Sequence, residues 1–374
     1  MKDAMKILYF FDQSDWQSRM PVVRRALEKG HSASIVMIGS EQKLSGIPPE
    51  ISLNFIATTP GRMNIFSGLH IVFEMYKALK KQKPDFVHTI TLKYSLMSGL
   101  AALPFPRIKK IYTIAGLGYL FRNDSRKALI LRMLVAPFLK VTLKAPGAFL
   151  IFQNPDDRDL LVQKRFAEEE KTALILGSGV NLNLFRPASE TQNSAPIILM
   201  PTRLVREKGI DIFVQAARII KQTHPDVRFQ IAGGLTKHNP TALTQDDMLE
   251  LTKDGSVEWL GHVHDMPSLL ASADIIAYPS YYGEGIPRVL LESAAAGKPI
   301  VTTDNPGCRE TVRHGENGFL VPVKNSQALA DAIKILLTDP KKCESMGQKS
   351  RAFAETHFDV DLICEQTIEV YTRA

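Results

Sequence analysis

An α/β protein built from two doubly wound parallel sheets is what the sequence predicts, on three observations. Short apolar runs alternate with amphipathic stretches of ten or more residues from end to end, the pattern of βαβ units. About a dozen strand candidates in 374 residues fit two such sheets more naturally than one. Between the halves lies "GSGVNLNLFRPASETQNSAP" (177–196), rich in Gly, Ser, Asn and Pro, and a fresh buried strand follows it.

In chain order, the strands expected in the first half are "KILYFF", "SASIVMIG", "DFVHTI", "KKIYTI" and "GAFLIF", all nearly continuous apolar runs suited to a buried parallel sheet. Helices are expected at "PVVRRALEKG", "GLHIVFEMYKALKKQ" and "SRKALILRMLVAPFLKVTLK", where apolar residues recur at helical spacing. The second half gives strands at "PIILMP", "VRFQIAGG", "VEWLG", "ADIIAYPS", "KPIVTTD" and "GFLVPV", then a helix at "NSQALADAIKILLTD" and two further helical stretches. The expected division is a first domain over 1–178, a linker over 179–195 and a second domain over 196–355. A terminal helix over 356–374 is expected to cross back to the first domain. No repeat of 20–50 residues and no low-complexity tract is present.

Composition excludes several classes. At 45% hydrophobic and 23% charged residues the chain is neither disordered nor fibrous. The most apolar stretch, "ALILRMLVAPFL", is cut by Arg132 and Pro137 and is too short to span a bilayer. The start "MKDAMKILYFFDQSD" does not read as a secretory signal. Three widely spaced cysteines are expected as free thiols in a reducing cytosol. After the first strand comes "DQSDWQSRMP", without the glycines a dinucleotide fold needs, and no P-loop, HExxH or GxSxG occurs. A nicotinamide enzyme, a P-loop NTPase, a zincin and an α/β-hydrolase are thereby set aside.

Chemistry concentrates in "PSYYGEGIPRVLLESAAAGKPIVTTDNPGCRETVRHGENGFLVP". The strand "ADIIAYPS" ends at Pro279, "YYGEG" is a glycine-hinged loop, and Pro287 suits the first turn of the next helix. Gly297 and Pro299 then stop that helix. Glu284 falls in the loop and Glu292 about one and a half turns into the helix. Loop and helix N-terminus offer free N–H groups to an anion, so both carboxylates border a site suited to a phosphate and a polyhydroxylated ligand.

The spacing Glu284-x7-Glu292, with "AAAGKPIV", "TDNPGCRE" and "GENGFLV" after it, resembles retaining glycosyltransferases of the GT-B fold, family 4. The resemblance extends over "PTRLVREKGIDIFVQAA", "LGHVHDMPSLLASADI" and "GSGVNLNLFRP". In the first half "RMPVVRRALEKGH", "FVHTITLKYSLMSGLAA" and "IYTIAGLGYLF" look like the members that extend polyprenyl-diphosphate-linked glycans. Those include N-acetylgalactosaminyltransferases and relatives in bacterial surface-glycan and O-antigen assembly.

The resemblance implies an acceptor-binding and a donor-binding Rossmann-like domain facing across a cleft, a UDP-sugar donor, and a polyprenyl-diphosphate-linked acceptor at the inner face of the cytoplasmic membrane. No metal or other cofactor is implied. Arg203 and Lys208 match the basic pair on the donor diphosphate. Glu292 matches the carboxylate on the ribose hydroxyls, and Glu284 with the backbone of Gly285, Ile286 and Pro287 matches the loop gripping the hexose. Val263 falls where the backbone reads the base. Departure of a nucleoside diphosphate builds negative charge that Arg203, Lys208 and a helix N-terminus would offset. Both basic side chains are expected to be exposed. No carboxylate is placed as a covalent nucleophile, so the resemblance favours a same-face displacement. On the acceptor side the chain departs from the family's glycine-rich first loop and its histidine after the fourth strand. Ser14, Ser18, Gly116 and Gly118 are the candidates there, with His88 at the end of "DFVHTI". A sugar-nucleotide epimerase, a phosphorylase and an inactive membrane-surface module stay open as alternatives.

Charge is uneven. Residues 1–180 hold 26 Lys and Arg against 15 Asp and Glu, and residues 62–144 alone hold 15 against 3. An excess so localised points to an anionic surface as partner. Arg126, Lys127, Arg132, Lys140 and Lys144 stand in an otherwise apolar amphipathic helix, which fits attachment in a membrane interface. Nucleic acid is set aside, because no binding motif or aromatic–basic interleaving occurs.

Overall fold

The computed structural model describes residues 4–41, 44, 46–58, 64–122, 125–188, 195–236, 239 and 241–374, without the side chains of Tyr119 and Arg122. Arg62 of the basic stretch and residues 189–194 of the expected linker lie outside the described residues. The chain divides into two units, Met1–Ser178 with Asp361–Ala374, and Gly179–Val360.

The first unit runs β1 (Lys6–Asp12), α1 (Trp16–Glu28), β2 (Ser32–Gly39), β3 (Ser52–Ala57), α2 (Ile65–Gln82), β4 (Phe86–Ile90), α3 (Leu92–Ala102), β5 (Lys109–Ile114), α4 (Gly118–Arg122), α5 (Arg126–Leu143), β6 (Ala148–Phe152), α6 (Pro155–Gln163) and β7 (Thr172–Leu174). Its seven strands are ordered β3-β2-β1-β4-β5-β6-β7 and pair in parallel throughout. Alternation along the strands divides the core between two faces. Tyr9, Phe11, Ile35 and Met37 pack with Trp16, Met20 and Val23 of α1 on one face. Leu8, Phe10, Val36 and Ile38 meet Ile71, Met75 and Leu79 of α2 on the other. Tyr112, Leu150 and Phe152 pack with Leu139 and Leu143 of α5.

Local signals explain the helix ends. Asn64 and Ser67 form a reciprocal capping box at the start of α2, and Lys83 closes it in the left-handed region at φ +47°. Ser125 caps α5, which runs through Pro137 to Leu143.

The second unit runs β8 (Ile197–Pro201), α7 (Ile210–Lys221), β9 (Arg228–Ala232), α8 (Gln245–Thr252), β10 (Glu258–Trp259), α9 (Met266–Ser272), β11 (Ile275–Tyr278), α10 (Arg288–Ala295), β12 (Ile300–Thr303), β13 (Gly318–Val321), α11 (Ser326–Thr338) and α12 (Pro340–His357). Its sheet is again all parallel, in the order β10-β9-β8-β11-β12-β13. Residues 179–188, expected in a linker, belong to this unit: Phe185 is buried, and Val180 exchanges backbone bonds with Phe358 and Val360 at 2.8 and 3.1 Å. No helix starts at 356. Instead α12 continues through that position, and α13 (Val360–Arg373) packs Ile363, Ile368 and Tyr371 into the core of the first unit.

Two strands had no expectation behind them. β3 alternates exposed and part-buried residues at a sheet edge, and β7 has only three residues. Neither offers the continuous apolar run by which the central strands announce themselves.

Candidate active site

In the second unit the chain leaves β8 toward β9 on one side and leaves β11 toward β12 on the other, while β8 and β11 are direct neighbours. Order therefore reverses between them, and ligands of open parallel sheets bind outside the strand carboxyl ends at such a reversal. The loops that follow, 202–209 and 279–287, contain Arg203, Lys208 and Glu284.

The two loops are held against each other by backbone. Gly209 has φ +78°, and a Cβ there would lie 2.2 Å from the Pro279 carbonyl oxygen, so only glycine permits the approach. The Tyr281 N–H donates to the Glu207 carbonyl at 3.0 Å. This brings Lys208 beneath the β11 loop, where its Nζ donates to the Tyr278 hydroxyl at 2.7 Å and ion-pairs with Glu284. The hydroxyls of Tyr278 and Ser280 complete the cluster, 3.4 and 3.5 Å from Glu284 Oε1.

The expectation that Lys208 is exposed is wrong: it is only 4% exposed. A buried ammonium needs a counter-ion, and Glu284 supplies it. Arg203 is exposed, as expected, and near enough for its charge to act on Tyr278. Burial pushes the Tyr278 phenol well above its ordinary range, so it stays a hydroxyl.

The loop carrying Glu284, Gly285, Ile286 and Pro287 is clamped from the end of β12 and the loop that follows it. Thr302 Oγ1 donates to the Tyr278 carbonyl at 2.7 Å, Thr303 to the Ser280 carbonyl, and Asn305 Nδ2 to the Tyr282 carbonyl at 2.8 Å. Gly307, at φ +90°, lies so close beneath that a Cβ would be 1.9 Å from the Gly285 carbonyl oxygen. These supports lie in or beside the string "TDNPGCRE", but nothing in its spacing says that they hold a loop some twenty residues earlier in the chain.

Pro287 is the N-cap of α10 and offers no side-chain acceptor; its carbonyl accepts from the Leu290 N–H at 2.9 Å, and the positive end of the helix dipole favours a ligand anion here. Glu292 is nearly buried, and Arg288 Nε donates to its Oε1 at 2.8 Å. Burial raises its pKa, with the guanidinium opposing. Val263 stands half-buried after β10, beyond Gly261, whose carbonyl accepts from Gly233 N–H at 2.8 Å. Each donor-side candidate thus follows a strand's carboxyl end in this one sheet or stands on α10.

The first unit has a similar reversal between β1 and β4. Ser14 follows β1 and donates to Asp12 Oδ1 at 2.6 Å. Ser18 is buried in the first turn of α1 and spends its hydroxyl on Asp15. Gly116, in the loop after β5, and Gly118, at the start of α4, take positive φ of +97° and +53°. His88 does not face a strand end. It is buried within β4, with Nδ1 2.6 Å from the Tyr371 hydroxyl and Nε2 2.8 Å from Thr113 Oγ1. Burial, with the charge of Arg19, lowers its pKa to about 3. A neutral imidazole with both nitrogens occupied ties α13 to the sheet.

The basic residues of α5 also divide. Arg126 and Lys127 are exposed, whereas Arg132 Nε donates to the Leu120 carbonyl at 2.7 Å and Lys144 pairs with Glu168 at 3.3 Å. Lys140 lies over the Phe166 ring at 5.4 Å. Among the described residues no group of three His, Cys, Asp or Glu side chains could hold a metal ion, and no helix is long and apolar enough to cross a membrane.

Both units of the chain resemble known proteins. Residues 183–353 match the model of glycosyl transferases group 1, and residues 6–154 that of the glycosyl transferase 4-like family. The N,N'-diacetylbacillosaminyl-diphospho-undecaprenol alpha-1,3-N-acetylgalactosaminyltransferase of Campylobacter jejuni is 28% identical over 96% of both chains. The UDP-Gal:alpha-D-GlcNAc-diphosphoundecaprenol alpha-1,3-galactosyltransferase of Escherichia coli is 25% identical over 79% of this chain and 77% of its own. Among solved structures, the sucrose-phosphate synthase of Thermosynechococcus elongatus superposes with a TM-score of 0.82 at 20% identity over 98% of both chains, which shows the fold. With a family match on each of its two parallel-sheet units, the chain belongs to the GT-B glycosyltransferases of these group 1 and 4-like families.

Proposed function

We propose that this glycosyltransferase moves an N-acetylhexosamine or related sugar from a UDP-sugar to a polyprenyl-diphosphate-linked saccharide during assembly of a bacterial surface glycan, with retention of the α configuration. The observation that carries the reading is the Lys208–Glu284–Tyr278 cluster at the β8/β11 reversal, beside an α10 N-terminus without a side-chain cap. Arg203, Lys208 and the first turn of α10 supply positive potential where the leaving diphosphate gathers charge. Glu292 accepts from the ribose hydroxyls, and Glu284, fixed by Lys208, meets the hexose. The two relatives named above act, by their names, on diphospho-undecaprenol-linked sugars, and both make alpha-1,3 linkages.

No metal takes part in this reading, because protein cations offset the diphosphate. Turnover should therefore be unchanged by EDTA, and loss of activity that Mg²⁺ restores would overturn that part. The enzyme works at the inner face of the cytoplasmic membrane, held there by the apolar face of α5 with Arg126 and Lys127. The deciding experiment follows release of UDP from UDP-N-acetylhexosamines with and without a polyprenyl-diphosphate saccharide. Release only when acceptor is supplied supports transfer, and interconversion of donor epimers without acceptor marks an epimerase.

A further inference from the structure

Among the described residues, eleven of the nineteen exposed large apolar side chains sit on just two helices, α2 and α5. On α5 they include Ile130, Met133, Leu134 and Phe138. On α2 they are Ile65, Phe66, Leu69 and Phe73, with Phe66 78% exposed. The buried stripe of α2 is Ile71, Met75 and Leu79, so the exposed aromatics lie on its opposite side. That exposed side changes character along its length. Its first half is apolar apart from His70, and its second half carries Lys77, Lys80 and Lys81, with Lys77 folded over the Phe73 ring and paired with Glu74. Phe66 and Lys81 are about 22 Å apart along the axis at 1.5 Å per residue.

Topology fixes which end is which. α2 joins β3 to β4, two parallel strands of one sheet, so it must start at the strand carboxyl ends and run back to their amino ends. α5 joins β5 to β6 in the same sense, and both helices pack on α3. The apolar half of α2 therefore stands at the carboxyl edge of the sheet, the edge that also holds the β1/β4 reversal. Cations and apolar side chains on one helix surface complement the phosphates and acyl region of an anionic bilayer.

We infer that α2 is a second insertion element alongside α5, entering an anionic bilayer by its amino-terminal half and so turning the carboxyl edge of the first sheet toward the lipid. The inference rests on the peripheral-membrane reading above and goes beyond it in naming the element and its polarity. Its consequence is that the acceptor-side edge of the first unit faces the surface where a lipid-linked acceptor resides.

The test uses the full chain with Phe66→Trp or Lys81→Trp and vesicles of zwitterionic and anionic phospholipid carrying brominated acyl chains. Emission added by Phe66→Trp should shift to the blue and be quenched by the bromines, while that of Lys81→Trp should not. Phe66→Ser with Phe73→Ser should lower vesicle partitioning roughly tenfold or more through lost apolar burial. Both positions are exposed, so the fold and UDP binding should be kept. If wild type binds vesicles but the tryptophan at 66 stays open to acrylamide, the inference fails and the peripheral reading stands. If wild type ignores vesicles at low salt, both fail. A dimer in sedimentation that the double variant dissolves would assign the face to a second copy and overturn the proposal.

Discussion

Arg203 and Lys208 carry the same charge in one loop, yet their surroundings assign them different sensitivities. Arg203 is exposed, so Arg203→Ala should lower turnover by roughly 10²-fold, the effect of losing one preorganised donor to a developing anion, and leave the melting curve unchanged. Lys208→Ala should lose turnover as well as about 3–5 kcal/mol of stability, because it removes a buried ammonium that is the counter-ion of Glu284 and a donor to the Tyr278 hydroxyl. Equal melting of the two variants in a thermal-shift assay would refute the division. Glu292 gives a pH test. Burial raises its pKa, so in the empty protein it takes up a proton at higher pH than an ordinary carboxylate. A ribose hydroxyl donates best to the ionised form. UDP affinity measured by calorimetry should therefore decline with acidification above the usual carboxylate range, and Glu292→Gln should flatten that decline. An unaltered pH profile in the variant would remove Glu292 from the nucleotide site.

At the scale of elements, the loop 279–287 is positioned by its supports rather than by its own sequence. Gly307 lies against the carbonyls of Glu284 and Gly285 with φ +90°, so Gly307→Ala must displace the loop and strain its own backbone. A shift of about 1 Å at a reacting group costs roughly 10²-fold in rate, so turnover should fall by that order while UDP is still bound. Normal turnover in Gly307→Ala would show that the loop is not held there. Such supports mark what the sequence leaves hidden. Central strands such as β1 and β11 are legible, because a strand buried on both faces is an unbroken apolar run. Glu284 and Glu292 are legible as a spaced pair bracketing a helix start. Burial of Lys208 is not, since its counter-ion is 76 residues away and a lysine in a Gly-bounded turn reads as solvated. The burial of His88 is hidden for the same reason, its partner Tyr371 being 283 residues distant on a terminal helix.

For the whole molecule, the two units should answer to different variables. In the first, His88 is neutral and enclosed by Tyr371, Thr113 and Tyr9, with Arg19 as the nearby charge that further disfavours protonation. Its pKa is about 3 in the fold against about 6.5 in an unfolded chain. The unfolded state therefore binds a proton that the folded state refuses. Stability contributed by neutral His88 is complete above about pH 6.5 and drains away as pH falls toward 3. In the second unit the donor site should respond to nucleotide, gaining about 2.7 kcal/mol when UDP is present at 100 times its dissociation constant. Hydrogen exchange followed by mass spectrometry separates the two. Lowering pH from 7 to 5, with rates corrected for intrinsic exchange, should first open β1, β4 and α13, whose polar contact runs through His88 and Tyr371. UDP should protect β8, β11 and α10 and leave that acid-sensitive set unprotected. His88→Gln should lower protection of α13 at neutral pH and reduce its further loss on acidification. Acid opening that begins at β8 and β11, or that is as steep in His88→Gln as in wild type, would show that the buried imidazole does not set the acid limit of the first unit.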